Sequence, residues 1–200
     1  MKQLNGCFLS LGLVAALAGC ASAPSHFYTL EPAAKGDGAQ ALDCSVIVGP
    51  VSIPYADDRP QIVLVTAPNR VEFDEFNRWA APLSDSIARV VSQDLSTLLG
   101  TTRVATGPMP DFGPSYRVTI RVQEFQTRRT QSKGNGETAL EALWAVRGPS
   151  GNSVGSGRTR AKEEAPGGTY EALAAAHSRA LAKLSADIAA TIRKAASEKQ

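Results

Sequence analysis

The apolar and polar positions change period several times along the chain, and those changes lay out its elements. Residues 45–53 are β-branched and alternate with polar ones, which predicts a strand, with Gly49-Pro50 as a bulge or kink within it. The run Ile62-Val63-Leu64-Val65 predicts a strand over 61–66, and a shorter one at 70–73 follows a Pro68-Asn69 turn. The period then becomes 3.6. Leu83, Ile87, Val90, Val91, Leu95 and Leu98 share one face of a helix opened by Pro82 at its first position, with Asp85 in the first turn and Gly100 as the stop. Residues 103–105 predict a brief strand. Residues 116–125 predict a long one, with Tyr116, Val118, Ile120 and Val122 on one face and Arg117, Thr119 and Arg121 on the other. The stretch 126–136 is polar. Strands at 138–147 and 154–162 flank a Gly-rich turn at 148–151. A last helix over 170–194 carries the stripe Tyr170, Leu173, His177, Leu181, Leu184, Ile188 and Ile192. Such a stripe serves a coiled coil or a helix lying on a sheet, and the latter is favoured because there is only one stripe. Ahead of all these, 27–30 predicts a first short strand and 31–43, Ala/Gly-rich and polar, a mobile loop. The order β-β-β-β-α-β-β-β-β-α predicts an α/β fold: a single compact domain, with a mixed and mostly antiparallel sheet and two amphipathic helices packed on it.

The start of the chain has a different character. A basic Met1-Lys2 precedes a mostly apolar run over 4–19, the pattern of a secretory signal and too short to span a bilayer comfortably. It ends in Leu17-Ala18-Gly19-Cys20, which resembles the bacterial lipobox. That resemblance implies a signal peptide over 1–19, cleavage before Cys20, and a covalent diacylglycerol and N-acyl chain on Cys20. Two or more acyl chains anchor firmly, because each buried CH₂ contributes about 0.8 kcal/mol. Ala21, where an Asp would signal inner-membrane retention in enterobacterial lipoproteins, implies the outer membrane. Residues 20–26 form a lipidated tether of roughly 20 Å, and the domain occupies 27–200. Cys7 leaves with the signal and Cys20 is acylated, so Cys44 stands alone, without an intramolecular disulfide, as a buried strand thiol.

Composition and motifs exclude more than they assign. Lys and Arg total 21 against 19 Asp and Glu, a formal charge of +2 with no basic run, which argues against a nucleic-acid partner. Of the two histidines, His26 lies in the tether and His177 on the apolar stripe, where it reads as a satisfied core residue. Neither has a second His or Cys at metal spacing, so neither a metal nor any cofactor beyond the lipid on Cys20 is expected. Gly151-Asn152-Ser153-Val154-Gly155 matches the Gly-x-Ser-x-Gly pattern, but a nucleophile elbow needs a strand before the serine and a helix after it. Here a hairpin turn fits better. Gly134-Asn135-Gly136 is too short for a phosphate loop, and Asp57-Asp58 fits a polar turn better than a catalytic pair. The chain is therefore expected not to be an enzyme.

Four segments in order carry a resemblance: the lipobox, Phe27-Tyr28-Thr29-Leu30, Val48-Gly49-Pro50-Val51-Ser52-Ile53-Pro54, and Trp79-Ala80-Ala81-Pro82-Leu83. The set resembles the ABC-type transport auxiliary lipoproteins, the family typified by paraquat-inducible protein C. The resemblance implies a compact α/β domain on the periplasmic face of the outer membrane. It also implies an MCE-domain protein of the inner membrane as partner in lipid transport, and a homo-oligomeric ring. The Gly-rich 31–43 loop and the Ala-rich last helix depart from the family pattern. Independently of it, Phe73, Phe76 and Trp79 are candidate partner-binding residues, aromatics beside Asp74, Glu75 and Arg78 in a segment between a strand and a helix. Trp79 also fits as core packing under the first helix. The alternatives are a stand-alone lipid-binding or envelope-assembly lipoprotein, and a serine hydrolase built on Ser153.

Overall fold

A computed structural model describes residues 24–108, 112–130 and 134–198; Cys20 and the signal segment lie outside the described residues. The chain runs β1 (His26–Tyr28), β2 (Val46–Ser52), β3 (Gln61–Ala67), β4 (Arg70–Trp79), α1 (Leu83–Leu99), β5 (Val104–Ala105), β6 (Tyr116–Thr130), β7 (Asn135–Arg147), β8 (Ser153–Ala165) and α2 (Tyr170–Ser197). The order of strands and helices is the one the periodicity predicts.

β6 is the spine of a curled mixed sheet. Along one edge it pairs antiparallel with β7 from Arg117↔Arg147 to Thr130↔Asn135, and β7 pairs in turn with β8. Its other edge is shared. β2 runs parallel to residues 116–121, and β3 runs parallel to Thr127 and Arg128. β5 extends the sheet beyond β2, while β4 and then β1 extend it beyond β3. The β2–β6 register slips between Val48 and Val51, at Gly49-Pro50, where proline has no N–H to give the ladder.

Both helices bury their apolar stripes in one core with the inward faces of β2, β6 and β7. Ile87, Val90, Val91 and Leu95 of α1 and Leu181, Leu184, Ile188 and Ile192 of α2 are fully buried there. Pro82 sits one residue before α1, at its N-cap rather than its first turn, and Gly100 ends the helix in the left-handed conformation at φ 68°. Thr169 caps α2 by accepting the Ala172 N–H at 3.2 Å.

Three expectations are corrected. The segment 31–43 is irregular but fastened rather than mobile. Ala33 and Ala34 N–H groups donate to Asp94 Oδ1 at 3.0 and 2.9 Å, Leu42 N donates to Leu99 O at 2.9 Å, and Arg193 donates to Gln40 O at 2.9 Å. Polar composition hid this, because the fasteners tie the backbone of this segment to groups distant in sequence. β6 continues past residue 125 to Thr130, since the polar extension finds a full partner in β7. β4 continues past residue 73 to Trp79, for the reason given next.

Candidate functional site

β4 leaves its ladder midway and returns. Ile62 of β3 pairs with Asp74, yet the neighbouring Gln61 pairs with Arg78, so residues 75–77 bulge out. The bulge frees backbone N–H groups, and Asp74 collects them. Its Oδ1 accepts from Phe76 N at 3.0 Å, Asn77 N at 2.9 Å and Asn77 Nδ2 at 3.0 Å, while its Oδ2 accepts the Tyr170 hydroxyl. Partial burial alone would raise this carboxyl, but the hydrogen bonds from Tyr170, Asn77 and the two amides prevail and hold it below the usual aspartate range. Burial and then the Asp74 carboxylate push the Tyr170 phenol upward, so Tyr170 stays a hydrogen-bond donor.

The bulge is fastened to the rest of the molecule. Tyr28 donates to Asn77 Oδ1 at 2.8 Å and packs its ring 5.6 Å from that of Tyr170. The Arg129 guanidinium lies 4.2 Å over the Tyr170 ring. This bulge is thus positioned by β1, β6 and the first turn of α2, elements far apart in sequence.

The three candidate aromatics part company here. Phe76 rides the bulge and is 44% exposed, and Phe73, 42% exposed, has the Arg59 guanidinium 3.9 Å from its ring centre. Val71 on the same strand and Phe27 on β1 are also exposed. Trp79 is instead buried at 7% exposure, edge-on to Phe125 and His177 at 6.1 and 5.9 Å. The difference follows from the pairing. β1 covers β4 only over Asn77, Arg78 and Trp79, so among the described residues the outer edge of 70–76 carries no partner strand. Two open grooves lie beside β1 and at the end of β4. One of about 490 Å³ runs past Phe27, Pro32 and Ala174, and one of about 320 Å³ past Arg59, Pro60 and Pro82.

The other singled-out residues are placed as follows. Ser153 begins β8 after a turn, with strand rather than helix behind it. Asp57 and Asp58 lie in the turn after Pro54. Cys44 is buried just ahead of β2 with its thiol pushed up by desolvation. His177 is fully buried and stacked on Phe125 at 4.0 Å. Its Nε2 meets Thr127 Oγ1 at 2.9 Å while Nδ1 has no partner, so it is only half-satisfied. Among the described residues no group of three or more His, Cys, Asp or Glu is placed to hold a metal ion, and no helix is long and apolar enough to cross a membrane. An unpaired strand edge beside exposed aromatics is chemically suited to pairing with another polypeptide through backbone hydrogen bonds and aromatic anchors. Sequence reading found Phe73 and Phe76 but missed Asp74 and Tyr170, whose joint role no local pattern signals.

Comparison with known proteins agrees with this architecture. A family profile described as "ABC-type transport auxiliary lipoprotein component" matches residues 28–189. A crystal structure from Xanthomonas campestris superposes with a TM-score of 0.70 at 16% identity, covering 88% of this chain and 100% of that one. A second crystal structure, of an uncharacterized protein, gives 0.69 at 18% identity, covering 85% and 99%. A putative lipoprotein from Caulobacter crescentus gives 0.43 at 18% identity, covering 70% and 92%. No curated protein sequence matches.

Proposed function

The chain belongs to the ABC-type transport auxiliary lipoprotein family, and from that premise we propose that it is a non-enzymatic docking component of an MCE-type intermembrane lipid transport system. It is held to the periplasmic face of the outer membrane by acyl chains on Cys20. There it assembles as a homo-oligomer that receives an MCE-domain protein reaching from the inner membrane. Acyl chains dissolve poorly in water, so lipid crossing between membranes needs a continuous path with a fixed point at its far end.

The observation that carries the reading is the bulged, unpaired edge of β4. It lies next to β1, where the tether joins the domain, and it holds Phe73 and Phe76 toward solvent in a hydrogen-bonded frame. Exposed strand edges are normally blunted, and aromatic residues in a rigid frame are typical binding anchors. The test is a double variant, Phe73→Ala/Phe76→Ala, in the full-length acylated chain. Wild type should form a discrete oligomer and co-purify with the MCE-domain protein, and the variant should lose at least about tenfold of that capture. A strictly monomeric wild-type chain that captures no MCE-domain protein overturns the proposal.

The groove past Phe27, Pro32 and Ala174 favours a second reading, a lipoprotein that itself carries lipid. Native mass spectrometry of the purified domain would then show bound lipid.

A further inference from the structure

The side of the sheet turned away from the helices has an uneven charge. At one end β6 presents Arg117 and Arg121, β7 presents Arg147 and β8 presents Arg158, all of them exposed. Arg117 and Arg147 are direct cross-strand partners. Like charges in that position are destabilising, and a structural role would favour a carboxylate at one of them. None is there. The Arg147 side chain reaches only the Gly151 carbonyl at 3.0 Å, and among the described residues the side chains of Arg117 and Arg121 make no hydrogen bond or ion pair. Carboxylates on this face begin at Glu124 and Glu141, beyond the β6 bulge between Val122 and Glu124. Glu141 is already taken, by Arg158 at 2.9 Å and Arg160 at 2.9 Å. Toward the other end charge is balanced, as Lys162 meets Glu137 at 4.0 Å. Arg121 itself lines a shallow hollow of about 270 Å³, together with Pro50, Ser52, Thr119, Leu143 and Ala145. The patch is therefore cationic at its rim and, through Arg121, in the wall of the hollow as well.

Its position narrows what it can meet. Arg129, near the far end of β6, stacks on Tyr170, which packs on Tyr28 of β1. Arg117 stands roughly 40 Å along the strand from that point, at about 3.3 Å per residue. A tether would join at β1, so the arginine end of β6 is the end farther from where the anchor enters the domain.

We propose that the face formed by Arg117, Arg121, Arg147 and Arg158 is the docking surface for a protein partner presenting carboxylates, approaching from the side opposite the anchor. This rests on the docking function above and adds to the β4 edge a second face that meets the same partner. The patch steers and orients the incoming partner, which makes the encounter salt-dependent.

The test uses the full-length acylated chain in detergent micelles and the MCE-domain protein as probe, with Arg117→Glu/Arg121→Glu as the variant. Wild type should capture the probe more weakly as salt is raised, and the variant should bind at least about tenfold more weakly, the low end of electrostatic steering. The variant should remain as oligomeric as wild type and melt no lower, because the carboxylate introduced opposite Arg147 replaces a like-charge pair with an attractive one. Capture undiminished by the double reversal overturns the patch and leaves the docking function standing. No capture by wild type removes both. Binding of wild type, but not the variant, to phosphatidylglycerol vesicles with unchanged probe capture would assign the patch to a membrane and overturn the proposal.

Discussion

Single residues carry the clearest physical consequences. His177 is enclosed by Phe125, Trp79 and the α2 stripe, with one ring nitrogen on Thr127 and the other unpartnered. Desolvation lowers its pKa to about 3, against an ordinary 6.5. The unfolded chain therefore binds a proton that the native one refuses, and the stability this histidine confers is complete above pH 6.5. It falls by up to about 1.4 kcal/mol per pH unit as the pH drops toward 3. Asp94, raised by burial, pulls the other way, and it is common to wild type and to a His177→Gln variant. Urea midpoints followed from pH 7 to pH 4 should fall more steeply in wild type than in that variant. Parallel profiles would show that His177 does not govern the slope. The burial of His177 was legible in its place on the apolar stripe. Its half-satisfied state was not, because its one hydrogen-bond partner, Thr127, comes from a strand 50 residues away in sequence.

At the scale of elements, helix ends and bulges decide where segments go. Gly100 ends α1 at φ 68°, and a Cβ there would stand 2.9 Å from Ala41 Cα, inside the strap formed by 31–43. Gly38, at φ 75°, would meet nothing within 4 Å. Gly38→Ala should therefore cost only the left-handed backbone penalty, about 1 kcal/mol, whereas Gly100→Ala adds the collision and should cost about 2–4 kcal/mol. Equal losses in thermal or denaturant unfolding would mean that the strap is not pressed against the helix end. The helix stop at Gly100 was readable from its neighbours alone. The strap was not, because Asp94 fastens it from 60 residues away in sequence. β4 gives the same lesson. Its alternation breaks at residue 74, which in sequence reads as the end of a strand. In the folded chain the break is a bulge that Asp74 stabilises before pairing resumes at Arg78.

For the whole molecule, we propose that the domain folds independently of the anchor on Cys20. Among the described residues every strand, both helices and the core lie within 26–197. Cys20→Ser should leave circular dichroism and melting temperature of the domain unchanged while abolishing membrane association and transport function. Full function from a soluble, unacylated chain would overturn the proposal that anchoring is part of the mechanism.

Local chemistry by itself determined the order of strands and helices and the apolar faces that meet in the core. These are written in spacings of two to seven residues, which a single stretch of sequence contains in full. Only the tertiary structure decided which of three similar aromatics is buried, which strand edge stays open, and where unpaired arginines gather. Each of those depends on which strand lies beside which. Strand partnership is settled by pairing between residues as far apart as His26 and Asn77, for which neither alternation nor propensity leaves a mark.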